Sequence, residues 1–279
     1  MRDATTAPIA PIALLAAMPE EMAQFTRLLD RAGVGRETPD RHGPRTFERA
    51  MLRDAPLVLL TTGMGMVAAA AATEAVVSRF SPRSVLNFGC AGAHRDDLMP
   101  GDVVVGTACI AFDHGHVAPG GAFAPSPARL FVDGTHVHLD ALPVSEPLLA
   151  AAEFVAGMGT WQAEPWPVAA WSAGVRHRSP RVHFGPVASS DRFTQDADAL
   201  RALHARHASL CEDMEAAAIA QVCALHDVPF FTAKDLSNNE FHATTTFGPG
   251  GAWEAAEDEI GKRAAAFAFA LLLKVTGNR

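Results

Sequence analysis

The chain has 279 residues, of which 49% are hydrophobic and 19% are charged. This composition provides ample material for a buried core and excludes a disordered chain or a fibrous repeat. The 31 acidic residues outnumber the 23 lysines and arginines, and no basic run could follow a phosphate backbone, so nucleic acid is not an expected partner.

The first half of the chain alternates between short apolar runs and segments in which apolar residues recur at helical spacing. Short apolar runs bounded by turn residues are typical of buried strands. Pro19 suits the opening turn of a helix, because its missing N–H would have no partner there. Strands are therefore predicted at 12–17, 57–62, 84–88 and 103–110, with one helix starting at Pro19 and another spanning 67–80.

The stretch 118–181 differs from the rest of the chain. It is rich in proline and glycine and shows little periodicity, apart from a helix predicted at 146–155. We interpret it as an irregular insertion or as a cover for a functional site. Regular alternation then returns, with strands predicted at 182–188, 210–211 and 230–233 and helices at 197–207, 214–226 and 254–274.

This order of elements predicts an α/β fold with a mixed, largely parallel central sheet flanked by helices. We expect a single domain over residues 1–279 that carries the insertion. Ligands of such sheets bind at the carboxyl ends of the strands. The residues that follow the predicted strands are Glu20, Glu21, Gly63, Gly65, Gly89, Cys90, Gly92, Ser190, Asp191, Phe193, Glu212, Asp213, Met214, Glu215, Ser237, Asn238 and Asn239.

Taken singly, these residues also have ordinary structural explanations. The helix dipole favours a glutamate in the first helical turn, and glycines serve as turn residues. The Gly63-Met64-Gly65 turn lacks the third glycine of a dinucleotide-binding motif, and no GxxxxGK[ST] loop occurs, so no cofactor is expected. His136 and His138 share a strand spacing, but the other histidines are dispersed, so no metal is expected.

The cysteines and the longest apolar run bear on location. The four cysteines form no CxxC pair, which is typical of reduced thiols. Met1-Arg2-Asp3 and the prolines that follow differ from a signal peptide. The longest apolar run near the C-terminus, 264–273, has ten residues, whereas a membrane-spanning helix needs roughly 17 to 25. We therefore expect a cytoplasmic protein that does not associate with membranes.

Five motifs occur in the order found in a known family. They are Met18-Pro19-Glu20-Glu21, Gly63-Met64-Gly65-Met66-Val67-Ala68-Ala69, Asn87-Phe88-Gly89-Cys90-Ala91-Gly92 with Pro100-Gly101-Asp102-Val103-Val104-Val105, Asp213-Met214-Glu215-Ala216-Ala217-Ala218, and Ser237-Asn238. Over most of its length outside the insertion, the chain resembles the purine nucleosidase and nucleoside phosphorylase superfamily. Within it, the motifs are most similar to those of the methylthioadenosine/S-adenosylhomocysteine nucleosidases. The resemblance implies that the substrate is a purine nucleoside and that its N-glycosidic bond is broken.

The resemblance also implies which residues act on the sugar and on water. Glu21 matches the carboxylate that activates the attacking water as a general base. Glu215 matches the residue that accepts hydrogen bonds from the ribose hydroxyls, and Met214 packs its thioether against the ribose. Asp213 belongs to the same motif and is included in the substrate site.

A second group of residues is implied to bind the base. Phe193 matches the position that stacks on the base, and Thr194 would offer backbone groups to the base edge. Cys90, Ala91 and Gly92 form the loop beside it. Cys90 replaces a small hydroxyl residue, which keeps the size but weakens hydrogen bonding.

Two positions depart from the pattern of the adenine-releasing members. Asn238 replaces an aspartic acid that donates a proton toward the purine N7, and an amide can only hydrogen-bond. Asparagine suits a 6-oxopurine such as hypoxanthine, although Asp235 or Glu240 could supply the acid instead. Lys234 replaces an arginine, so a bidentate contact to Glu215 or the ribose is loosened.

Two other functions remain open at this stage. One is a phosphorylase, which would need cationic support for phosphate beside Glu21 from residues such as Arg45, Arg95 or a neighbouring subunit. The other is a nucleoside-binding protein without catalytic activity. Hydrolysis is favoured, because the first-strand turn and residues 85–88 lack the arginines of the phosphorylases.

The resemblance further implies a homo-oligomer, most simply a dimer. Candidate contact residues are Phe112, Asp113, His114, Trp161, Trp166 and Trp171, although the tryptophans can equally fill the core.

Overall fold

The computed structural model describes residues 9–158, 161, 164–167, 176–242 and 258–277. Its helices are α1 (Pro19–Arg31), α2 (Met66–Phe80), α3 (Glu146–Gly157), α4 (Ala197–His207), α5 (Ala216–Leu225) and α6 (Lys262–Thr276). Its strands are β1 (Ile12–Ala16), β2 (Asp40–His42), β3 (Arg45–Leu52), β4 (Ala55–Thr61), β5 (Ser84–Ala93), β6 (Val103–Ala111), β7 (Gly115–Val117), β8 (Phe123–Pro125), β9 (Ala128–Val132), β10 (Thr135–Leu139), β11 (Leu142–Pro143), β12 (Val182–Ser189), β13 (Cys211–Asp213) and β14 (Phe230–Asn238).

Ten of the described strands form one mixed sheet. Its order is β11-β6-β12-β13-β5-β1-β4-β3-β2, and β14 pairs with both β5 and β6. Because β6, β12, β13, β5 and β14 each pair with the next, these five strands close into a ring. Helix α6 packs on β5 and β14, and α5 packs on β6 and β12. The predicted α/β class, with a mixed sheet flanked by helices, is confirmed.

The sheet contains parallel pairs on both sides of the antiparallel pair β13–β5. All five residues of β1 are buried, and β1 pairs in parallel with β4 on one side and β5 on the other. Antiparallel pairing comes from β3 on β4, from β13 on β5, and from β14 on β6. The strands β2 and β3 were not predicted, because β2 is short with no buried residue and both strands include charged side chains rather than an apolar run.

Several predicted boundaries need correction. Strand β14 extends to Asn238 rather than ending at 233, because all nine of its residues are buried between two partner strands. The closing helix begins at Lys262 rather than at 254, since Gly261 precedes it with a φ of +68° and residues 258–261 form a turn. Residues 254–257 lie outside the described residues.

The insertion is more regular than its composition indicates. It contains the antiparallel hairpins β7–β8 and β9–β10, and β11 adds to the main sheet beside β6. The predicted helix is present as α3. Proline and glycine here mark the short loops between strands rather than an absence of structure.

The amino-terminal helix illustrates how the sequence positions the functional edge. Pro19 occupies its first turn, and Met22, Phe25 and Leu29 form its buried face. The Phe25 ring stacks on Phe88 of β5 with a centroid separation of 5.2 Å. This packing holds α1 against β5. No helix among the described residues is long and apolar enough to cross a membrane.

Candidate active site

A cavity of about 250 Å³ opens at the carboxyl ends of the central strands. Four carboxylates and one arginine, Arg192, are among its lining side chains. The full lining comprises Ala17, Met18, Glu21, Met64, Cys90, Ala91, Gly92, Arg192, Phe193, Glu212, Asp213, Met214, Glu215, Ser237 and Asn238. Residues from widely separated parts of the sequence therefore share one concave site.

Glu21 is held at the bottom of the cavity by backbone N–H groups. Its Oε2 accepts from the N–H groups of Ala17 and Met18, each at 3.0 Å, and its Oε1 accepts from Cys90 N–H at 2.7 Å. Burial raises the pKa of this carboxyl, while Lys234 and the N–H donors limit the rise. A buried carboxylate with a raised pKa is suited to take a proton from a bound water.

Two glycines leave the space that Glu21 occupies. A Cβ at Gly89 would lie 2.6 Å from Glu21 Oε1, and a Cβ at Gly261 would lie 3.0 Å from Glu21 Cγ. Gly89 therefore belongs to the site for steric reasons as well as being a residue of β5. The start of α6 closes the other side of the same carboxyl.

A buried ion pair supports the carboxylates. Lys234 Nζ lies 2.7 Å from Asp213 Oδ2, and the same oxygen accepts from Ala216 N–H at 2.9 Å. Asp213 Oδ1 also accepts from the Ser189 hydroxyl. Burial lowers the pKa of Lys234, but the carboxylates of Asp213, Glu215 and Glu21 outweigh it and raise that pKa above its usual value. Lys234 is thus a charged residue behind the cavity and not one of its lining residues.

Glu215 immediately precedes α5, and its side chain lines the cavity. Its Oε1 accepts from Gly65 N–H at 2.8 Å. Burial and the neighbouring Asp213 carboxylate raise the pKa of Glu215 to about 7, and Lys234 opposes this rise. Glu215 and Glu21 line one cavity, which is the juxtaposition that sugar binding and water activation by these two residues require.

The cavity lining also presents an aromatic ring and an amide. Phe193 is 46% exposed at the mouth. Asn238 is buried, its Oδ1 accepts from the Ser237 hydroxyl at 2.9 Å, and its Nδ2 donates to Glu240 Oε1 at 3.1 Å. Since an amide has two donor hydrogens and two acceptor lone pairs, these contacts leave one of each for a ligand.

Comparison with known proteins assigns the family. The family model of the phosphorylase superfamily matches residues 11–276. The chain belongs to this superfamily. Among its relatives, the 5′-methylthioadenosine/S-adenosylhomocysteine nucleosidase of Anoxybacillus flavithermus is 30% identical over 231 residues, which are 81% of this chain and 84% of that protein. The corresponding enzyme of Chromohalobacter salexigens is 29% identical over 228 residues, 81% of this chain and 83% of that protein. The predicted resemblance is confirmed.

Solved structures show the same superfamily fold. The 5′-methylthioadenosine/S-adenosyl homocysteine nucleosidase of Helicobacter pylori has a TM-score of 0.72 at 20% identity, with 95% of this chain and 99% of that chain covered. The futalosine hydrolase of Helicobacter pylori has a TM-score of 0.70 at 20% identity, with 95% and 97% covered.

Within this superfamily fold, most of the predicted site residues come together. Glu21, Cys90, Ala91, Gly92, Phe193, Asp213, Met214, Glu215 and Asn238 all line the cavity. Lys234 and Thr194 do not, and the Thr194 N–H, expected to contact the base, donates instead to Glu212 Oε1 at 2.8 Å. Their roles in the reaction stay predictions.

The alternative acids lie outside the cavity lining. Asp235 accepts from Arg263 N–H at 2.9 Å and from Trp166 Nε1 at 3.4 Å, on the side of β14 where α6 begins. Glu240 contacts the amide of Asn238 from behind. Ser237 and Asn238 are therefore the described β14 residues whose side chains can contact a ligand in the cavity.

Among the described lining residues that were given no role from the sequence, Glu212 is the one carboxylate. The sequence placed it among acids that could simply start a helix, whereas the structure places it in β13 with its side chain in the cavity wall. All three residues of that strand are buried, and the sequence carries no signal for this burial. Within the described part of the chain, no group of three or more potential ligands is arranged to hold a metal ion.

Proposed function

We propose that the protein is a purine nucleosidase that hydrolyses the N-glycosidic bond. The observation that carries this proposal is the shared cavity, whose lining brings together Glu21, Glu215, Phe193 and Asn238. Its lining combines apolar side chains with a small number of polar groups, as small-molecule sites do. The relative that is 30% identical is named as a nucleosidase, which supports the same activity.

The reaction follows from the chemistry of the lining residues. Glu21 takes a proton from a water whose oxygen bonds to the anomeric carbon of the ribose, while the bond from that carbon to the base breaks and its electron pair moves into the base. The base takes up a proton at N7 from solvent water, and Glu21 returns its proton to solvent, so that the products are ribose and the neutral base. Glu215 accepts hydrogen bonds from the ribose hydroxyls, and Met214 packs against the sugar. Asn238 hydrogen-bonds the departing base, so that its developing negative charge is stabilised.

The charges around Glu21 support hydrolysis over phosphorolysis. The described lining contains four carboxylates and a single cationic side chain, so a phosphate dianion would meet like charge. The N–H groups at the start of α2, where an anion could bind, already donate to Glu215 and Asp191. Arg45 and Arg95 do not line the cavity, and Arg95 pairs with Asp97.

The leaving group is proposed to be a 6-oxopurine. The free lone pair of the Asn238 amide can accept from a protonated N7, and its free N–H can donate to O6. An aspartic acid, which would protonate the base directly, is absent from this position. Hypoxanthine-type bases fit this pair of hydrogen bonds, whereas the 6-amino group of adenine places a donor against a donor.

A panel of nucleosides tests the activity. Inosine, adenosine, methylthioadenosine, adenosylhomocysteine and futalosine are incubated with the protein with and without phosphate, and free base is measured. We expect base release without phosphate. A strict phosphate requirement would indicate a phosphorylase, and measurable binding without release from any substrate would indicate a binding protein.

Removing the buried charge of Lys234 is expected to change the pH dependence. The pKa of Glu215 is about 7, so its carboxylate protonates as the pH falls through 7 and kcat/KM falls with it. Lys234 lowers the pKa of both Glu215 and Glu21, so Lys234→Met should move the acidic limb of the profile to higher pH. Loss of one partner of a buried pair also costs about 3–5 kcal/mol of stability.

The control for this prediction is Lys234→Arg, which keeps the positive charge and should leave the acidic limb near its original pH. Both variants are compared over pH 5 to 9 after thermal denaturation has established that they are folded. An identical acidic limb in Lys234→Met and the unmodified protein would contradict the electrostatic role of Lys234.

Assembly and location remain part of the proposal. Met64, Val67 and Phe193 are 65%, 79% and 46% exposed, and Met64 and Phe193 both line the cavity, so a dimer could cover apolar surface there. Phe112 and Trp166 are buried and Trp161 packs on Phe267, which favours core filling for these aromatic residues; Trp171 lies outside the described residues. Elution in gel filtration at the 29.5 kDa monomer mass would contradict a dimer.

The four free cysteines support a cytoplasmic location.

A further inference from the structure

Glu212 is a buried carboxylate in the cavity wall that the proposed reaction does not use. Its side chain is only 5% exposed, all of its strand is buried, and it lines the cavity. Oε1 accepts from Thr194 N–H at 2.8 Å, and Oε2 lies 3.2 Å from His94 Nε2. A carboxylate is costly to bury unless it is hydrogen-bonded, and these two contacts offset that cost. The side chain nevertheless lines the cavity, where it can also contact a ligand.

The surroundings of Glu212 fix its orientation. His94 and Ser209 are buried behind it, with His94 Nδ1 2.9 Å from Ser209 Oγ. A His94 tautomer with its hydrogen on Nε2 donates to Glu212 and accepts from Ser209. Thr194, which follows Phe193, holds the other oxygen. The carboxylate is therefore oriented by two donors, and each oxygen retains a lone pair for a further hydrogen bond.

Strand register places Glu212 at the base end of the cavity. Glu212 of β13 and Asn238 of β14 both pair with Gly92, from opposite sides of β5. Their backbones are thus two strand spacings apart, roughly 10 Å. Gly92 has no side chain to separate them, and a Cβ there would lie 3.0 Å from Asn238 Nδ2. A planar base that lies over Gly92 can therefore contact the Asn238 amide with one edge and the Glu212 carboxylate with the adjacent edge.

The two groups differ in what they can recognise. A carboxylate only accepts hydrogen bonds. The N1 position of a 6-oxopurine carries a hydrogen, and a 2-amino group beside it would supply a second donor. The N1 of adenine instead has a lone pair, which would face the negative charge of Glu212.

We propose that Glu212 determines base specificity by accepting a hydrogen bond from N1–H of a 6-oxopurine, and from its 2-amino group where one is present. The inference rests on the proposed nucleosidase function and deepens it. The preferred leaving groups are then of the hypoxanthine and guanine type. Glu212 acts on the edge that Asn238 does not reach, so the two residues contribute to specificity independently.

The test compares Glu212→Gln with the unmodified protein on inosine and adenosine, and on 5′-methylthioinosine and 5′-methylthioadenosine. Loss of a charged hydrogen-bond acceptor should shift the ratio of the two kcat/KM values toward the adenine nucleoside by about 10-fold or more. The ratio is the readout because a merely structural role would lower both values together.

Asp191→Asn is the matched control. Asp191 Oδ1 accepts from Met66 N–H at 2.7 Å, much as Glu212 holds Thr194, but Asp191 is not a lining residue. Its variant should leave the base ratio unchanged. Equal ratios in Glu212→Gln, Asp191→Asn and the unmodified protein would overturn the proposal while the nucleosidase function stands.

If the unmodified protein releases no base from any nucleoside, the proposed function fails, and calorimetry then tests Glu212 directly. Hypoxanthine, guanine and adenine are titrated into the unmodified protein and into Glu212→Gln. Weaker binding of hypoxanthine and guanine alone, by about 10-fold, supports the role of Glu212. Equal binding of all three bases by both proteins contradicts it.

Discussion

Glu21→Gln is expected to lower kcat for base release by about 10²–10⁴-fold, the range for loss of a general base. The amide has nearly the same shape but cannot take a proton from water. KM should change much less, because the ribose and base contacts lie on other residues. Steady-state kinetics with the best nucleoside of the panel measures both quantities.

The variant also has a structural effect that must be separated from catalysis. Three N–H groups donate to the two carboxylate oxygens of Glu21, and the NH₂ of a glutamine cannot accept from any of them. A buried donor left without a partner costs about 1–3 kcal/mol, so a lower melting temperature is expected in a protein that remains folded.

Glu20→Gln is the matched control for this experiment. Glu20 lies in the same first turn of α1 but does not line the cavity. Its replacement should leave kcat within about twofold, as is usual for substitutions outside a site. A Glu21→Gln protein that keeps more than a tenth of the original kcat would contradict the general-base role.

Glu21 also shows why the sequence alone could not settle its role. Its carboxylate accepts from Met18 N–H as the third residue of the helix, which is the hydrogen bond of a capping box. The same oxygens face the cavity. A capping glutamate and a catalytic one have the same sequence pattern, and only the packing of β5, with Gly89 beneath the carboxyl, distinguishes them.

The sheet was predictable where strands are buried on both faces. The strands β1, β4 and β6 appear in the sequence as apolar runs, and their parallel neighbours follow from the intervening helices. The ring formed through β14 was not predictable in this way. The second half of β14, residues 234–238, contains Lys234, Asp235 and two further polar residues. Their burial depends on partners that are distant in the chain.

The base end of the site was only partly predictable for the same reason. Asn238 stood out as a departure from a known motif, whereas Glu212 precedes the motif residues Asp213 to Glu215 and belongs to no pattern. The role that we propose for it follows from register, because β13 and β14 flank Gly92. Register between strands that are far apart in the sequence is set by the folded sheet and is not encoded in local spacing.

Asn238→Asp is expected to shift base release from hypoxanthine-type toward adenine-type nucleosides by at least about 10²-fold in the ratio of kcat/KM values, the lower range for a general acid. Asn238 Nδ2 lies 3.1 Å from Glu240 Oε1, so a carboxyl here would face another carboxylate. Like charge raises the pKa of the introduced group, which keeps a proton available for the purine N7.

Asn238→Ala is the control that distinguishes a gain of adenine release from a loss of hypoxanthine release. The alanine variant removes the hydrogen bonds to a 6-oxopurine without supplying an acid, so it should slow hypoxanthine release and leave adenine release slow. Only the aspartate variant should gain activity toward adenosine and methylthioadenosine. If neither variant changes the ratio of hypoxanthine release to adenine release, Asn238 supports the cavity wall but does not choose the base, and Glu212 alone would have to account for base specificity.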